Sequence, residues 1–354
     1  MGLLYTKYKI FHYKEKIDSL PRDKAILPPL HIRIKPTNVC NHDCWYCAYR
    51  VSNLQLGKDM VERDYIPEAK MLEIIEDCEV MGVKAITFSG GGEPLIYRYM
   101  LQTLKRLIQT NIAFATLTNG AKLKGEIAEI FAHYGTWVRV SIDGYDNESY
   151  QKFRGSGARE FDKVIKNMED FKKLGGKCYL GVSYIVGQEN WHKIYEIAQI
   201  LSDIGVDSLK ISPAIVSNTA AENNQYHKGI YGGVKQNISK AQKAFGEKLE
   251  IYDSYHYQLD SFEKDYTWCP YSQILMVIGA DLNLYPCQDK AYNLDEGLLG
   301  SIKAMRFKQW WETNKEAFFK INPTCVCNHH CVAHEKNKII LEYLNADKNH
   351  LSFV

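Results

Sequence analysis

The sequence predicts an α/β protein built on a parallel sheet. Six short segments rich in apolar and β-branched residues alternate with helical patterns through the first 212 residues, the order that parallel α/β sheets require. The six strand segments are LHIRI (30–34), VKAITF (83–88), IAFATLT (112–118), TWVRVSI (136–142), CYLGVSYIV (178–186) and DSLKIS (207–212). Connections from a strand through a helix to the next parallel strand are almost always right-handed, and consecutive strands are usually neighbours. We therefore expect a single parallel sheet, either open or curled into a partial barrel.

Five helical patterns connect these strands. They are PEAKMLEIIEDCEVMG (67–82), YMLQTLKRLIQT (99–110), GEIAEIFAHYG (125–135), REFDKVIKNMEDFKKLGG (159–176) and HKIYEIAQILSDIG (192–205). In the fourth, apolar residues recur at helical spacing from Phe161 to Phe171, and Gly175 and Gly176 form a natural stop.

The remainder of the chain divides by composition. Residues 213–264 are polar and rich in Tyr, Asn and His around one helical piece, and we interpret them as a linking insertion. Two short strand patterns, a Trp-rich helix and a group of cysteines follow in 265–335. We expect an N-terminal extension at 1–29, the main α/β unit at 30–212, a small second domain at 265–335, and a C-terminal helix and tail at 336–354.

Composition and charge narrow the class of protein. The chain has 354 residues, of which 45% are hydrophobic and 24% charged, as in ordinary globular proteins. A net charge of +2 does not indicate a nucleic-acid or membrane partner. No apolar run reaches the ~18 residues of a spanning helix, and the first residues lack a secretory signal. We expect a cytoplasmic protein.

Ten cysteines fall into two groups, with Cys78 and Cys178 standing alone. The first group is Cys40, Cys44 and Cys47; the second is Cys269, Cys287, Cys325, Cys327 and Cys331. In a reducing cytoplasm such clusters indicate metal binding or catalysis rather than disulfides.

The first group directly follows the first strand, with the spacing Cys-x3-Cys-x2-Cys in CNHDCWYC. Three thiolates on one loop can hold three irons of a 4Fe–4S cluster and leave the fourth iron open. The alternative is a structural zinc site with His42 as fourth ligand. We favour iron, because closed zinc sites usually take two separated pairs of ligands and a His between two Cys of one loop is sterically awkward.

Polar motifs follow the next three strands. In SGGGEP, Gly91 and Gly92 would let the backbone approach a ligand, and Glu93 offers a carboxylate. Asn119, in LTNG, lies where ligand loops belong, although it could form only a turn.

The segment after the fourth strand pattern holds three further candidates. In SIDG, Ser141 and Asp143 occupy alternate positions facing one side, and YQKFRG supplies Arg154. Their alternatives are a strand-end turn and a solvated helix charge.

The motif CNHDCWYC, with Tyr46 before its last cysteine, followed by FSGGGEPL, resembles the radical S-adenosylmethionine (SAM) enzymes. The resemblance implies a partial (β/α)6 TIM-like barrel in which Cys40, Cys44 and Cys47 bind a 4Fe–4S cluster, and SAM chelates its fourth iron. It further implies that Glu93 binds the SAM ammonium and that Ser141 and Arg154 bind its carboxylate. Tyr46, Gly91, Gly92 and Asn119 would contact the cofactor, and Asp143 is a candidate catalytic residue.

The tail, with WCPYSQILMVIGADLNLYPC and CVCNHHCVAHEKN, resembles the twitch and SPASM auxiliary-cluster extensions. The resemblance implies one auxiliary 4Fe–4S cluster on Cys269, Cys287, Cys327 and Cys331, although Cys325 competes with Cys327 and zinc would accept the same thiolates. Asn283 replaces the family's usual hairpin glycine and would tolerate its left-handed backbone. For His330 and His334 a polar surface role is favoured over ligation.

The reaction implied is reductive cleavage of SAM to a 5'-deoxyadenosyl radical, which abstracts hydrogen from a substrate, with flavodoxin or ferredoxin as electron donor. Only about thirty residues precede the first strand, too few for a leader-binding domain. This favours dehydrogenation or epimerisation of a small, carbohydrate-derived molecule. The alternatives are a peptide-modifying maturase and, from another class, a zinc-stabilised binding protein without catalysis.

Overall fold

A computed structural model describes residues 5–50, 57–259, 263–327 and 331–352. Within these residues one ten-stranded sheet runs in the order β10-β9-β8-β1-β2-β3-β4-β5-β6-β7. The strands are β1 (His31–Ile34), β2 (Ala85–Phe88), β3 (Ala113–Thr118), β4 (Trp137–Ile142), β5 (Tyr179–Val186), β6 (Ser208–Pro213), β7 (Glu250–Asp253), β8 (Leu275–Ile278), β9 (Asn283–Tyr285) and β10 (Gly300–Ser301). From β8 through β1 to β7 all neighbours are parallel, which confirms the α/β class.

Helices follow the strands in the predicted alternation. The helices are α1 (Lys14–Asp18), α2 (Glu68–Met81), α3 (Met100–Leu107), α4 (Gly125–Tyr134), α5 (Asn147–Arg154), α6 (Glu160–Lys173), α7 (Ile194–Ile204), α8 (Ala220–His227), α9 (Tyr231–Phe245), α10 (Tyr255–Gln258), α11 (Leu294–Gly297), α12 (Phe307–Thr313), α13 (Pro323–Val326) and α14 (His334–Leu344). All five helical patterns connecting the predicted strands form helices at the expected places, as α2, α3, α4, α6 and α7. A left-handed glycine caps two of them, Gly82 after α2 and Gly205 after α7.

The two faces of the sheet differ in chemistry. On one face, alternate residues such as Ile32, Val138 and Leu209 are fully buried in the main apolar core with the helices. The residues between them, such as Arg33, Arg139 and Lys210, are polar and only half-buried. We call this second surface the inner face.

The parallel part of the sheet has two strands more than the six predicted, β7 and β8. Strand β7 lies in the segment that we interpreted as a linking insertion, and it pairs in parallel with β6, with Ile251 beside Leu209. Strand β8 of the cysteine-rich tail pairs in parallel with β1, with Leu275 beside His31. The predicted boundaries at 212 and 265 therefore do not divide the sheet.

The segment before β1 packs against α14. Ile10 of a 3-10 helix (Lys7–Tyr13) and Ile17 of α1 share a small apolar cluster with Ile340 of α14. An ion pair between Lys7 and Glu335, at 3.2 Å, joins the same two segments.

The β8–β9 hairpin departs from one expectation. The left-handed residue of its turn is Leu282, with φ +61°, whereas Asn283 already belongs to β9. The prediction for Asn283 was wrong. Its side chain donates to Asp281 instead, at 2.7 Å, and so braces the turn from outside.

No helix in the described ranges is long and apolar enough to cross a lipid bilayer.

Candidate active site

The cysteine loop leaves the carboxyl end of β1, the edge at which parallel α/β sheets hold their active sites. Two tight turns shape it, since the Cys47 N–H donates to Cys44 O at 3.0 Å and the Arg50 N–H to Cys47 O at 2.9 Å. The end of α5 anchors it, because the Asp43 N–H donates to Arg154 O at 2.7 Å. The loop is thus held by its own turns and by a backbone contact with a helix more than a hundred residues later in the sequence.

The glycine-rich segment after β2 packs directly on the chain leading into this loop. The Gly92 N–H donates to Thr37 O at 3.0 Å and the Glu93 N–H to Val39 O at 2.9 Å. A Cβ on Gly92 would lie 1.9 Å from Val39 O, and one on Gly91 would lie 2.1 Å from the Asn38 side-chain oxygen. On these sides the close approach is between two protein segments. Contact of Gly91 and Gly92 with a ligand stays a prediction.

Glu93 is buried and accepts three hydrogen bonds. Its Oε1 accepts from the Thr118 hydroxyl at 2.6 Å and from the Leu95 N–H at 2.9 Å, and its Oε2 accepts from the Asn119 N–H at 2.6 Å. Burial raises the pKa of Glu93, and these donors oppose that shift. A carboxylate has about four acceptor positions, so there is room for one more donor such as an ammonium. Thr118 was missed by sequence reasoning, although it stands beside Asn119 in LTNG.

Asn119 connects the loops after β1 and β3. Its side-chain nitrogen donates to Asn41 Oδ1 at 2.8 Å, and its side-chain oxygen accepts from the Ala121 N–H at 3.0 Å. Asn41 lies in the cysteine loop. Asn119 is therefore in direct contact with that loop.

Asp143, Arg154 and Tyr46 meet in the interior. The Arg154 guanidinium lies 2.5 Å from the Asp143 carboxylate, both side chains are buried, and the Tyr46 hydroxyl donates to the same carboxylate. Arg154 Nε has no hydrogen-bond partner in the described part of the chain. No hydrogen bond among the described residues joins Ser141 to Arg154. The structure thus brings three predicted site residues, Tyr46, Asp143 and Arg154, together, and the role of Ser141 stays a prediction.

Asn190 was missed by sequence reasoning. Its side-chain nitrogen donates to Asp143 O at 2.7 Å and to Ile185 O at 2.8 Å, and its oxygen accepts from the Gly187 N–H at 2.8 Å. The only signal in the sequence is the polar turn GQEN after the fifth strand. Asn190 fixes the loop after β5 against the end of β4.

A cavity of about 390 Å³ opens beside these residues. Its walls come from the cysteine loop, α5, the loop after β5 and the start of the segment after β6. The lining includes Trp45, Tyr46, Asp143, Phe153, Ile185 and Tyr226. An aromatic and apolar wall with one buried acid is typical of small-molecule sites.

The first thiols fit a metal cluster in chemistry and setting. Burial raises the pKa of Cys40, and that of Cys44 to about 11, with the charges of the neighbouring thiols contributing. Half-buried thiols of this kind become thiolates when a metal binds them. His42 is turned elsewhere, since its Nε2 lies 3.6 Å from Glu160 and its ring contacts that of Tyr150 edge-on.

The second thiols also converge. Burial raises the pKa of Cys269 to about 12, with Cys331 contributing, and that of Cys327 to about 11, with Cys269 contributing. The charges of Cys331, Cys327 and Cys269 all act on Cys287. Cys325 is exposed, and its Sγ lies 3.7 Å from the Thr324 hydroxyl.

Of the two histidines considered in the tail, the structure describes one. His334 stacks on Tyr266 and its Nδ1 lies 3.2 Å from the Tyr266 hydroxyl, whereas His330 lies outside the described residues. Among the described residues no three His, Cys, Asp or Glu side chains are placed to hold a single metal ion. The thiols of each group are therefore neighbours rather than an assembled shell for one ion.

The chain is similar to several curated proteins. It is 25% identical over 228 residues to a probable GTP 3',8-cyclase of Sulfurisphaera tokodaii, a match covering 64% of this chain and 67% of that protein. It is 31% identical over 110 residues to an S-adenosylmethionine-dependent nucleotide dehydratase of Lacinutrix mariniflava, a match covering 31% of this chain and only 22% of that protein.

Solved structures share the fold. A crystal structure of Streptococcus suis SuiB bound to precursor peptide SuiA superposes with a TM-score of 0.63 at 16% identity, over 90% of this chain and 73% of that one. The likeness confirms the fold, a mostly parallel sheet of the radical SAM partial-barrel type. The profile of the Radical SAM superfamily matches residues 34–201, from β1 into α7 and across the first cysteine loop. Residues 34–201 of this chain, the part that the profile matches, are a radical SAM domain.

Proposed function

We propose that this protein cleaves SAM reductively and uses the resulting radical to abstract hydrogen from a small, carbohydrate-derived substrate. One observation carries the proposal: the loop with Cys40, Cys44 and Cys47 is held at the carboxyl edge of the sheet, next to a cavity that Tyr46 and Asp143 line. When bound, the 4Fe–4S cluster and SAM supply one-electron cleavage of a carbon–sulfur bond and a 5'-deoxyadenosyl radical.

The protein's own residues position the cluster and SAM and exclude water. Cys40, Cys44 and Cys47 hold the cluster, and the remaining acceptor position of Glu93 suits the SAM ammonium. Ser141 and the unsatisfied Nε of Arg154 are our candidates for the SAM carboxylate. Asp143 holds Arg154 rather than acting on substrate directly, because its carboxylate is already engaged by Arg154 and Tyr46. The aromatic wall of the cavity keeps water from a reactive radical.

The second thiol group suits one auxiliary 4Fe–4S cluster of the twitch or SPASM kind. We assign Cys269, Cys287, Cys327 and Cys331 to it. These four thiols act on one another electrostatically, whereas Cys325 is exposed. Both facts support Cys327 rather than Cys325 as the fourth ligand. Such a cluster would accept an electron from a substrate radical, as dehydrogenation requires.

Two facts bear on the substrate. The names of two relatives, a probable GTP cyclase and a nucleotide dehydratase, refer to nucleotides. Nucleotides contain a sugar, and this supports a carbohydrate-derived small molecule. SuiB was solved with a precursor peptide, so a peptide substrate is the alternative, but 16% identity carries the fold alone. We expect a cytoplasmic flavodoxin or ferredoxin to supply the electron.

The test is anaerobic reconstitution with iron and sulfide, followed by reduction with dithionite in the presence of SAM. We expect a brown protein that releases 5'-deoxyadenosine, and loss of that release in Cys40→Ala. Cys269→Ala should still release it while losing turnover of substrate. Cys78→Ala serves as the matched control, because Cys78 is fully buried in the apolar core away from both groups. A colourless protein that binds zinc would refute the proposal.

A further inference from the structure

The inner face of the sheet carries an unusual concentration of positive charge. Arg33 on β1, Arg139 on β4 and Lys210 on β6 all lie on this face, each between two fully buried apolar residues of its own strand. We call these three residues the inner-face cations. Strand pairing places Ser141, Ser183 and Lys210 side by side on β4, β5 and β6, so Lys210 lies in one row with a proposed SAM ligand.

Arg33 and Arg139 both lie near enough to Lys210 for their charges to act on it. Burial, together with the charges of Arg139, Lys336 and Arg33, lowers the pKa of Lys210 to about 8. Burial, with the charges of Arg33 and Lys336, lowers the pKa of His31 to about 3. Positive groups from β1, β4, β6 and α14 therefore converge in one region.

Opposite charge on this face is scarce. No ion pair within the described ranges involves Arg33, Arg139 or Lys210. Asp289 is one carboxylate near Arg33: burial raises its pKa to about 6, and the charge of Arg33 opposes that rise. Glu250 is engaged elsewhere, since it accepts from the Tyr179 hydroxyl at 3.2 Å. The guanidinium carbon of Arg139 lies 5.1 Å from the centre of the Tyr5 ring and 5.6 Å from that of the Trp137 ring. These cation–π contacts compensate the charge of Arg139 only in part.

Arg139 crosses the neighbouring strand toward β6. A Cβ on Gly181 of β5 would lie 3.5 Å from Arg139 Nε, an ordinary contact, and 3.0 Å from the hydroxyl of Ser208 on β6, so the guanidinium lies over β5. The Nε atoms of Arg33 and Arg139 are buried, and neither has a hydrogen-bond partner in the described structure. Unsatisfied guanidinium donors at low exposure cost stability unless a ligand meets them.

We propose that the inner-face cations bind a phosphate group of the substrate. Two guanidinium groups and one ammonium converging on a region poor in carboxylates match a group with about two negative charges and several acceptor oxygens. The inference rests on the proposed function in one respect, that the ligand is the substrate of the radical reaction. It narrows the substrate to phosphorylated small molecules.

The experiment measures anion binding without SAM or reductant, so that it is independent of radical chemistry. Thermal stability of the anaerobically purified protein is followed against inorganic tripolyphosphate, with citrate at equal ionic strength as the carboxylate comparison. We expect tripolyphosphate to raise Tm, and citrate to do so less. Lys210→Gln and Arg139→Gln should need at least about tenfold more tripolyphosphate for the same rise. Lys210→Arg, which keeps the charge, should respond as the native protein does.

Lys122→Gln is the matched control, because Lys122 is exposed and the substitution changes net charge equally. An equal loss of response in Lys122→Gln would indicate surface attraction only and overturn the proposal. It is also overturned if Lys210→Gln and Arg139→Gln respond like the native protein, or if they lower Tm without changing the response. A competition arm separates substrate from cofactor: SAM should leave the tripolyphosphate response unchanged, and displacement by SAM would mean that the cations serve SAM.

Discussion

Arg154 at the end of α5 lies 2.5 Å from Asp143 at the end of β4, with both side chains buried. The same end of α5 holds the cysteine loop, because Arg154 O accepts the Asp43 N–H and Phe153 O accepts the Trp45 N–H. The ion pair therefore fixes the helix end on which the loop rests.

Asp143→Asn should destabilise the protein, because it leaves the Arg154 guanidinium buried without a counter-charge. We expect a loss of about 3–5 kcal/mol in the free energy of unfolding, measured by denaturant titration. The control is Lys166→Gln, which breaks an exposed ion pair with Asp170 and should cost less than about 1 kcal/mol. Equal effects of the two substitutions would contradict a role for the buried pair.

Gly92→Ala should impair cluster incorporation without touching a cysteine. The new Cβ would lie 1.9 Å from Val39 O, so the chain leading to Cys40 must move. We expect a lower content of iron per chain after reconstitution and a proportional loss of 5'-deoxyadenosine release. Gly157→Ala is the matched control, because a Cβ there has nothing within 4 Å. Normal iron content in Gly92→Ala would show that the contact is not needed.

Cys327→Ser and Cys325→Ser should differ sharply. Cys327 lies within the electrostatic influence of Cys269, and Cys325 is exposed beside Thr324. Cys327→Ser should lose the iron of one cluster while 5'-deoxyadenosine release persists, and Cys325→Ser should keep both clusters. Iron and sulfide analysis with electron paramagnetic resonance measures this. The reverse pattern would move the ligand to Cys325.

Stability should rise with pH in the alkaline range through Lys16. Its ammonium donates to Leu27 O at 2.6 Å, and burial, with Lys315 contributing, lowers its pKa from 10.5 to about 7. Between these values the unfolded chain binds the proton that the folded chain has released, so this group stabilises the fold as pH rises, by up to about 1.4 kcal/mol per pH unit.

Tm measured from pH 7 to pH 9.5 should therefore climb less steeply in Lys16→Met than in the native protein. Lys122→Met, at an exposed position, should retain the native slope. Parallel slopes in all three proteins would mean that Lys16 keeps its ordinary pKa in the folded state.

Local pattern was sufficient to predict the six strands and five helices of the main unit, because each strand is buried on one face and each helix has a clear apolar stripe. It could not reveal β7, whose sequence EIYD offers only Ile251 and Tyr252 to a strand pattern within a polar segment. The pairing of β8 with β1 depends on contacts between distant parts of the chain, which periodicity does not encode.

The candidate site was predictable to a similar depth. Motifs identified Glu93, Asp143 and Arg154 as polar residues near the strand ends, because such residues are rare beside apolar strands. Side-chain geometry across different loops sets two further contacts that motifs do not reveal. Asp143 neutralises Arg154, and Thr118 and Asn119 donate hydrogen bonds to the Glu93 carboxylate. The left-handed residue at Leu282 instead of Asn283 was likewise set by the hairpin as a whole.

The parallel pairing of β8 with β1 has a consequence for how the protein is made. During synthesis the strand that precedes the first cysteine loop emerges early, yet β8, the strand that covers its outer edge, is made only after all of β2 to β7. Until then the nascent chain presents an unpaired apolar edge, a known hazard for aggregation. A recombinant fragment that stops before Leu275 would keep that edge permanently, so the isolated N-terminal unit should be recovered mostly as inclusion bodies, whereas the full chain stays in the supernatant.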